Sequence, residues 1–348
     1  MDIHDLLKLT IDKKASDLHI IEGSSPVLRI DGSLVSIDSA LLKGEDTKEL
    51  IYSILTDAQK VEFEENWELD FSFAIPDLGR FRVNVHIEKG NVEAAFRSVA
   101  LDVKTLEELG LPSVVSELSR KPNGLVLITG PTGVGKTTTL AAMIDLINSE
   151  RSSLIITVED PIEYLHNHKK SIVKQREVHS DTKSFANALR HVLRQDPDVI
   201  CVGEMRDLET ISTALTAAET GHLVLTTLHT PDAAQTVDRI IDIFPPHQQQ
   251  QVRIQLAGSI QGIVSQQLFP MTDRTGRVVA TEILVATPAV RNVIREQKTE
   301  QISTILQTGA RFGMNTMDKS IKELYEKGII SYEAAISKVK NPSEFKKL

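Results

Sequence analysis

The chain of 348 residues has a single cysteine, Cys201. It can form no internal disulfide and no four-cysteine zinc site. Cys201 sits in the apolar run Val199 to Val202, where a small thiol acts as core filler. No apolar stretch approaches the ~18 residues that a membrane-spanning helix needs. The acidic opening Met1-Asp2-Ile3-His4-Asp5 lacks the apolar region of a secretory signal. Positive charge is not in excess either, since 39 Lys and Arg against 48 Asp and Glu leave a net −9. That balance argues against a broad nucleic-acid surface, although a local basic groove survives such a sum. What remains, 41% apolar and 25% charged residues, is the composition of an ordinary globular protein. The expected location is the cytoplasm, with any membrane association made through partners, and the length suggests two domains.

The stretch that organises the rest is Gly130-Pro131-Thr132-Gly133-Val134-Gly135-Lys136-Thr137, a full match to the phosphate-loop pattern G-x-x-x-x-G-K-[ST]. Leu125 to Ile128 predicts a strand before it. Thr138 to Ile147 predicts a helix after it, with Leu140, Met143, Ile144 and Ile147 at helical spacing. Glycines let the backbone curl until several N–H groups point at phosphate oxygens, and the following helix adds its positive dipole end. Lys136 is placed to reach the β- and γ-phosphates, and the Thr137 hydroxyl to ligate Mg²⁺. The expected nucleotide-binding set runs from Gly130 to Thr138, with ATP and Mg²⁺ bound.

Residues 1–100 read as a separate α+β domain. A helix is predicted over 3–11, strands over 18–21, 27–30 and 34–37, and helices over 48–55 and 56–65 with Thr56 as N-cap. Alternating strands follow over 69–75, 81–87 and 93–99, with turns at Asp31-Gly32 and Pro76 to Gly79 among others. Arg80 and Arg82 flank Phe81, so the two arginines share one strand face while Phe81 and Val83 take the other. Breakers bracket a short helix, Ser113 to Ser119, and residues 101–123 read as an interdomain linker. From residue 124 strands and helices alternate, which implies a parallel sheet covered by helices. Strands are expected at 154–158, 199–202, 223–228 and 277–285. Helices are expected at 184–193, 208–219, 236–243, 287–297, 317–327 and 331–339. Residues 247–267, rich in glutamine, read as one long helix. The polar tail from Asn341 to Leu348 reads as frayed.

Ligands of α/β sheets sit at the carboxyl ends of strands. Three strands after the phosphate loop end in polar clusters: Glu159, Asp160 and Glu163; Glu204, Arg206 and Asp207; and His229, with His222 at that strand's start. Taken singly, each reads as helix caps and solvated charge. Their shared position after apolar strands points them at the nucleotide. Val199 to Glu204 resembles a Walker B strand, except that Gly203 stands where an Asp is usual. Glu204 is then the principal catalytic carboxylate, polarising water or holding Mg²⁺ through water, and Glu159 and Glu163 are candidates to position metal or water.

Three segments together resemble the secretion ATPase superfamily of type II and type IV pilus systems: the acidic box Ile156 to Tyr164, the stretch Asp196 to Asp207, and the histidine box Thr220 to Thr230. Within it the chain is similar to the pilus retraction branch. The N-terminal domain is small and contains Ala15-Ser16-Asp17-Leu18-His19, and the zinc insertion typical of assembly ATPases would need four cysteines. Ala289 to Glu296 followed by Gly313 to Asp318 looks like a retraction-specific carboxy-terminal box. The resemblance implies a PAS-like N-terminal domain, a RecA-like core and a homohexameric motor that hydrolyses ATP to retract pili in twitching motility. It also implies contact with an inner-membrane pilus platform protein, with no direct membrane insertion and no nucleic acid bound. It assigns nucleotide-contacting roles to Arg80, Arg82 and Arg97, and γ-phosphate sensing or interface roles to His229 and His222. On the helix of the carboxy-terminal box, Arg291 and Arg295 lie four apart, away from the apolar stripe of Val290, Val293 and Ile294; periodicity alone reads this as an ordinary amphipathic surface helix, and the resemblance implies a surface needed for retraction. Alternatives are an accessory retraction ATPase, a secretion ATPase and, from another class, a RecA-like nucleic-acid translocase.

Overall fold

Alternating strands in the first hundred residues and continuously apolar strands thereafter resolve into two units, Met1–Leu101 and Asp102–Leu348. The computed structural model describes every residue except 1, 31, 76–77, 100–102, 273–275, 341, 343–344 and 346–348. Of the expected turns, Asp31 and Pro76-Asp77 fall outside the described residues, as do the 100/101 boundary and most of the tail.

The first unit contains α1 (Ile3–Asp12), β1 (Asp17–Ile20), β2 (Val27–Ile30), β3 (Ser33–Ser36), α2 (Gly44–Tyr52), α3 (Asp57–Asn66), β4 (Glu68–Ile75), β5 (Gly79–Glu88) and β6 (Asn91–Ser98). Thr56 caps α3 by accepting from Gln59 N, and Gln59 returns the bond to the Thr56 backbone. The strands form one antiparallel sheet in the order β3-β2-β1-β6-β5-β4. Period-two alternation buries Phe81, Val83 and Val85 against Leu6, Leu7, Ile51 and Phe63. Arg82 then stands opposite Arg97 in register, and Arg97 stands opposite Asp17. Two cations directly across a ladder repel; the Asp17 carboxylate, 2.8 Å from Arg97 Nε, offsets that repulsion.

The second unit contains α4 (Ser113–Ser119), β7 (Gly124–Thr129), α5 (Lys136–Glu150), β8 (Leu154–Glu159), β9 (Ile172–Glu177), α6 (Phe185–Val192), β10 (Val199–Val202), α7 (Leu208–Glu219), β11 (Leu223–Leu228), α8 (Ala233–Asp242), α9 (Pro246–Ser259), β12 (Ile260–Pro270), β13 (Arg277–Val285), α10 (Pro288–Arg295), α11 (Ile302–Thr308), α12 (Met317–Glu326) and α13 (Tyr332–Ile336). Its sheet runs β13-β12-β7-β11-β10-β8-β9, parallel throughout except for the edge pair β12–β13. Apolar layers cover both faces, which is why β7, β10 and β11 are buried along their whole length. Among the described residues no helix is long and apolar enough to cross a membrane.

Four expectations are corrected. The segment 247–267 is not one helix: α9 stops at Ser259 and β12 inserts between β7 and β13. The glutamines masked a buried apolar run of Ile260, Ile263 and Val264. Gly262 lets β12 pass close to α4 and β13, since a Cβ there would lie 2.8 Å from Leu118 and 2.9 Å from Leu284 O. Residues 103–123 are not a free linker, because Leu106, Leu111, Val114, Val115 and Leu118 are buried in the core of the second unit. In the tail, Phe345 is buried beside Phe269, Met317 and Ile321 rather than frayed. The pair Arg291 and Arg295 is split: Arg291 Nη1 donates to the Ala257 and Gly258 carbonyls at the end of α9, and only Arg295 is exposed.

Candidate active site

A cavity of about 840 Å³ opens at the carboxyl ends of β7, β8, β10 and β11. One wall is the phosphate loop. Its three glycines, Gly130, Gly133 and Gly135, have φ of +136°, +81° and +87°, which side-chain-bearing residues rarely adopt. Gly130 also has no room for a side chain, since a Cβ would lie 2.5 Å from Gln266 O on β12. Val134 turns its side chain inward to Gly130, while Pro131, Thr132 and Gly133 are exposed. The helix α5 starts at Lys136 with Gly135 as N-cap and no capping side chain. Its first N–H groups are thus left to face the cavity, the arrangement that favours a phosphate. The buried Lys136 Nζ donates to Gly130 O at 2.7 Å and to Pro131 O at 3.1 Å. Burial depresses its pKa, and the charge of Glu204 opposes the shift. Thr137 and Thr138 are half-buried at the cavity edge, and Thr138 Oγ1 lies 3.0 Å from the Tyr164 hydroxyl.

The facing wall carries the expected carboxylates. Glu204, with a side chain only 16% exposed, is 2.6 Å from Arg206 Nη2 and 3.3 Å from His229 Nε2. The other ring nitrogen of His229 is 3.4 Å from Thr132 Oγ1 in the phosphate loop. His229 therefore bridges the loop to Glu204 directly. Just before Glu204, the Gly203 carbonyl accepts from Thr227 Oγ1 at 2.6 Å. A Cβ on Gly203 would lie 3.4 Å from Glu159 Cα and Val158 O, in contact with the end of β8. Glu159 Oε1 accepts from Thr157 Oγ1 at 2.6 Å and Gln175 Nε2 at 3.1 Å. Burial nevertheless pushes its pKa up. Glu163 is exposed at the cavity margin.

Two polar residues from the same clusters serve other ends. Asp207 is the N-cap of α7 and accepts from Thr210 N at 2.8 Å. His222 lies at the opposite end of β11, where Nδ1 donates to Ala217 O at 2.9 Å and ties α7 to the strand. Arg80, Arg82 and Arg97 belong to the first unit. Cys201 is buried and its thiol is pushed well up by that burial, so it is no nucleophile.

Other cavity residues escaped sequence reasoning. Gln266, 1% exposed, donates to Thr139 Oγ1 at 2.7 Å from a strand mistaken for helix. His166 lines the cavity with its pKa lowered by burial to about 4, and is neutral at pH 7. No local pattern marks either residue. Among the described residues no group of three or more His, Cys, Asp and Glu could hold a metal alone. The oxygen donors present, the Thr137 hydroxyl and the Glu204 carboxylate, suit a hard cation that takes most of its ligands from phosphates and water.

Comparisons with known proteins agree with this geometry. The family model described as type II/IV secretion system protein matches residues 2–337. The type IV pilus retractation ATPase PilT of Pseudomonas aeruginosa is 50% identical over 345 residues, covering 99% of this chain and 100% of the relative. A twitching motility protein of Neisseria gonorrhoeae is 49% identical over 91% of this chain and 85% of its own length. A crystal structure of the pilus retraction motor PilT with bound ADP superposes with a TM-score of 0.92 at 49% identity, covering 99% of both chains. With a phosphate loop, a carboxylate strand and a histidine strand meeting in one cavity, and with likeness along nearly its whole length, the chain belongs to the type II/IV secretion system protein family.

Proposed function

We propose that this chain is the motor subunit of type IV pilus retraction, an ATPase that couples hydrolysis to pilin disassembly and twitching motility. The observation that carries this reading is full-length likeness to retraction ATPases combined with an intact phosphate loop facing Glu204 and His229. The loop N–H groups and the start of α5 bind the phosphate chain, and Lys136 leaves the Gly130 and Pro131 carbonyls for the β- and γ-phosphates. Glu204 orients the attacking water and accepts its proton. Lys136 balances the charge that develops on the γ-phosphoryl oxygens. Thr137 and, through water, Glu204 would hold Mg²⁺, which would supply further charge neutralisation. Glu159 and Glu163 hold water at the margin. His229, in reach of both Thr132 and Glu204, reports the state of the loop to the catalytic carboxylate.

The finer reading is a homohexamer at the cytoplasmic face of the inner membrane, working on a pilus platform protein. Arg80, Arg82 and Arg97 of one subunit then complete the site of the next. The test is turnover and ATP binding by the purified chain. Lys136→Ala should lose both. Glu204→Gln should bind ATP but fail to hydrolyse it, because an amide cannot accept the proton. Mixing Arg82→Ala with Lys136→Ala chains should restore part of the activity, since some interfaces then carry two intact halves. Near-normal turnover by Glu204→Gln would remove that residue from the mechanism. Turnover raised by DNA would favour a translocase instead.

A further inference from the structure

The edge strand β9 is paired to β8 with Gln175 opposite Thr157 and Glu177 opposite Glu159. Alternation puts all four side chains on one sheet face. Gln175 uses every polar atom of its amide on the acidic box and the residues just after it. Its Nε2 donates to Glu159 Oε1 at 3.1 Å and to Tyr164 O at 2.8 Å, and its Oε1 accepts from His166 N at 2.8 Å. Only one orientation of the amide satisfies two acceptors and one donor, so its direction is determined. Glu177 accepts from Ile162 N at 3.0 Å and is itself braced by Asp181 through its backbone N–H, at 2.8 Å. Together these bonds reach the box at Glu159, Ile162 and Tyr164, and the chain just after it at His166. Tyr164 in turn meets Thr138 on α5. The six backbone register pairs of β8 and β9 hold the strand without help from the Gln175 side chain. That side chain is therefore spent on the box and not on the sheet, and Gln175 is not among the residues that line the cavity.

We propose that Gln175 is a positioning residue for ATP hydrolysis: it fixes the Glu159 carboxyl group and the Tyr164 carbonyl so that the acidic box stays aligned with the phosphate loop. This rests on the reading of Glu159 as part of the ATP site. Gln175 touches no reacting group, so it acts on turnover through geometry. The phosphate loop itself is untouched by its loss, and ATP affinity stays with Lys136 and the loop N–H groups.

The test measures kcat and KM for ATP on the full chain. Gln175→Met keeps the length and removes all three hydrogen bonds. Gln175→Glu keeps the shape but sets an acceptor against the Glu159 carboxyl group and the Tyr164 carbonyl. Both should lower kcat by roughly tenfold or more, as small misplacements of reacting groups do. KM should stay within about threefold, the split expected when an interaction acts in the transition state alone. In a Glu159→Gln background, Gln175→Met should add far less than it does alone. A kcat within about twofold of the parent for a folded Gln175 variant, beside an impaired Glu159→Gln, would overturn the proposal while leaving the acidic box in the mechanism. Unimpaired turnover by Glu159→Gln would overturn the reading of the box itself, and the positioning role with it. Loss of kcat in proportion to loss of folded protein in both variants would make Gln175 a stability residue only.

Discussion

The helix α10 carries two arginines one turn apart whose replacement should have opposite consequences. Arg291 is half-buried, and its Nη1 donates to Ala257 O at 2.6 Å and also to Gly258 O. These carbonyls lie in the last turn of α9, where a helix leaves acceptors unpaired and its dipole favours a cation. Burial depresses the Arg291 pKa, and the charge of Arg295 adds to that effect. A hydrogen bond to a charged group contributes about 1.5–3 kcal/mol, and two bonds from one nitrogen count for less than their sum. Partial exposure screens the charge further, so Arg291→Ala should destabilise the second unit by about 2 kcal/mol. In a unit of this size that corresponds to a melting point lower by roughly 4–8 °C. Arg295→Ala should change stability by no more than about 0.5 kcal/mol, as solvated surface positions do. Calorimetry or denaturant titration of the two single variants checks both values. Arg295→Ala should retain ATPase activity, and loss of retraction in cells carrying it would place the partner-facing surface of this helix at Arg295. If Arg291→Ala melted with the parent chain, the capping argument would be wrong and the two arginines would be equivalent after all.

Two further outcomes follow from single groups in the cavity. Burial raises the Glu159 pKa above its ordinary value of 4.5, so the folded state keeps its proton longer than the unfolded chain does. Stability is then lost as pH rises through the folded-state value, and the neutral isostere in Glu159→Gln avoids that loss. The variant should melt higher than the parent at neutral pH, with the gain vanishing below pH 4.5, while turnover falls. Thermal melts across pH would refute this if the difference were independent of pH. Gly130→Ala should weaken ATP binding by at least about tenfold, because the position combines a left-handed φ with backbone too close for a Cβ. Calorimetric titration with ATP measures it, and unchanged affinity would mean that β12 yields at Gln266 without moving the loop.

Much of the ATP site was legible locally. The phosphate loop is a contiguous pattern whose glycines and lysine must lie where they do to wrap a phosphate. Strands β7, β8, β10 and β11 are short apolar runs, and the rule that ligands gather at strand ends points Glu159, Glu204 and His229 toward the loop. Asp207 satisfied the same pattern and proved to be a helix cap, and His222, at the start of its strand, ties that strand to α7. Periodicity alone does not say which end of a strand a neighbouring polar group serves, nor what it bonds.

The sequence by itself determined what is encoded within a few residues: the loop, the alternation that buries Phe81 beside Arg82, and the cap at Thr56. Tertiary structure decided the rest. Only the sheet order reveals that β12 is a strand beside β7, because its glutamines hide the apolar run and β7 lies more than a hundred positions away, as in the 2.8 Å contact of Thr129 with Ser265, 136 residues apart. Only side-chain packing separates Arg291 from Arg295, or makes Gln175 on β9 a support for Glu159, 16 residues earlier in the acidic box. Such bonds join segments brought together by burial of apolar surface, which has no direction of its own. The particular groups that meet are set by the shape of the folded core, and a local pattern carries no record of it.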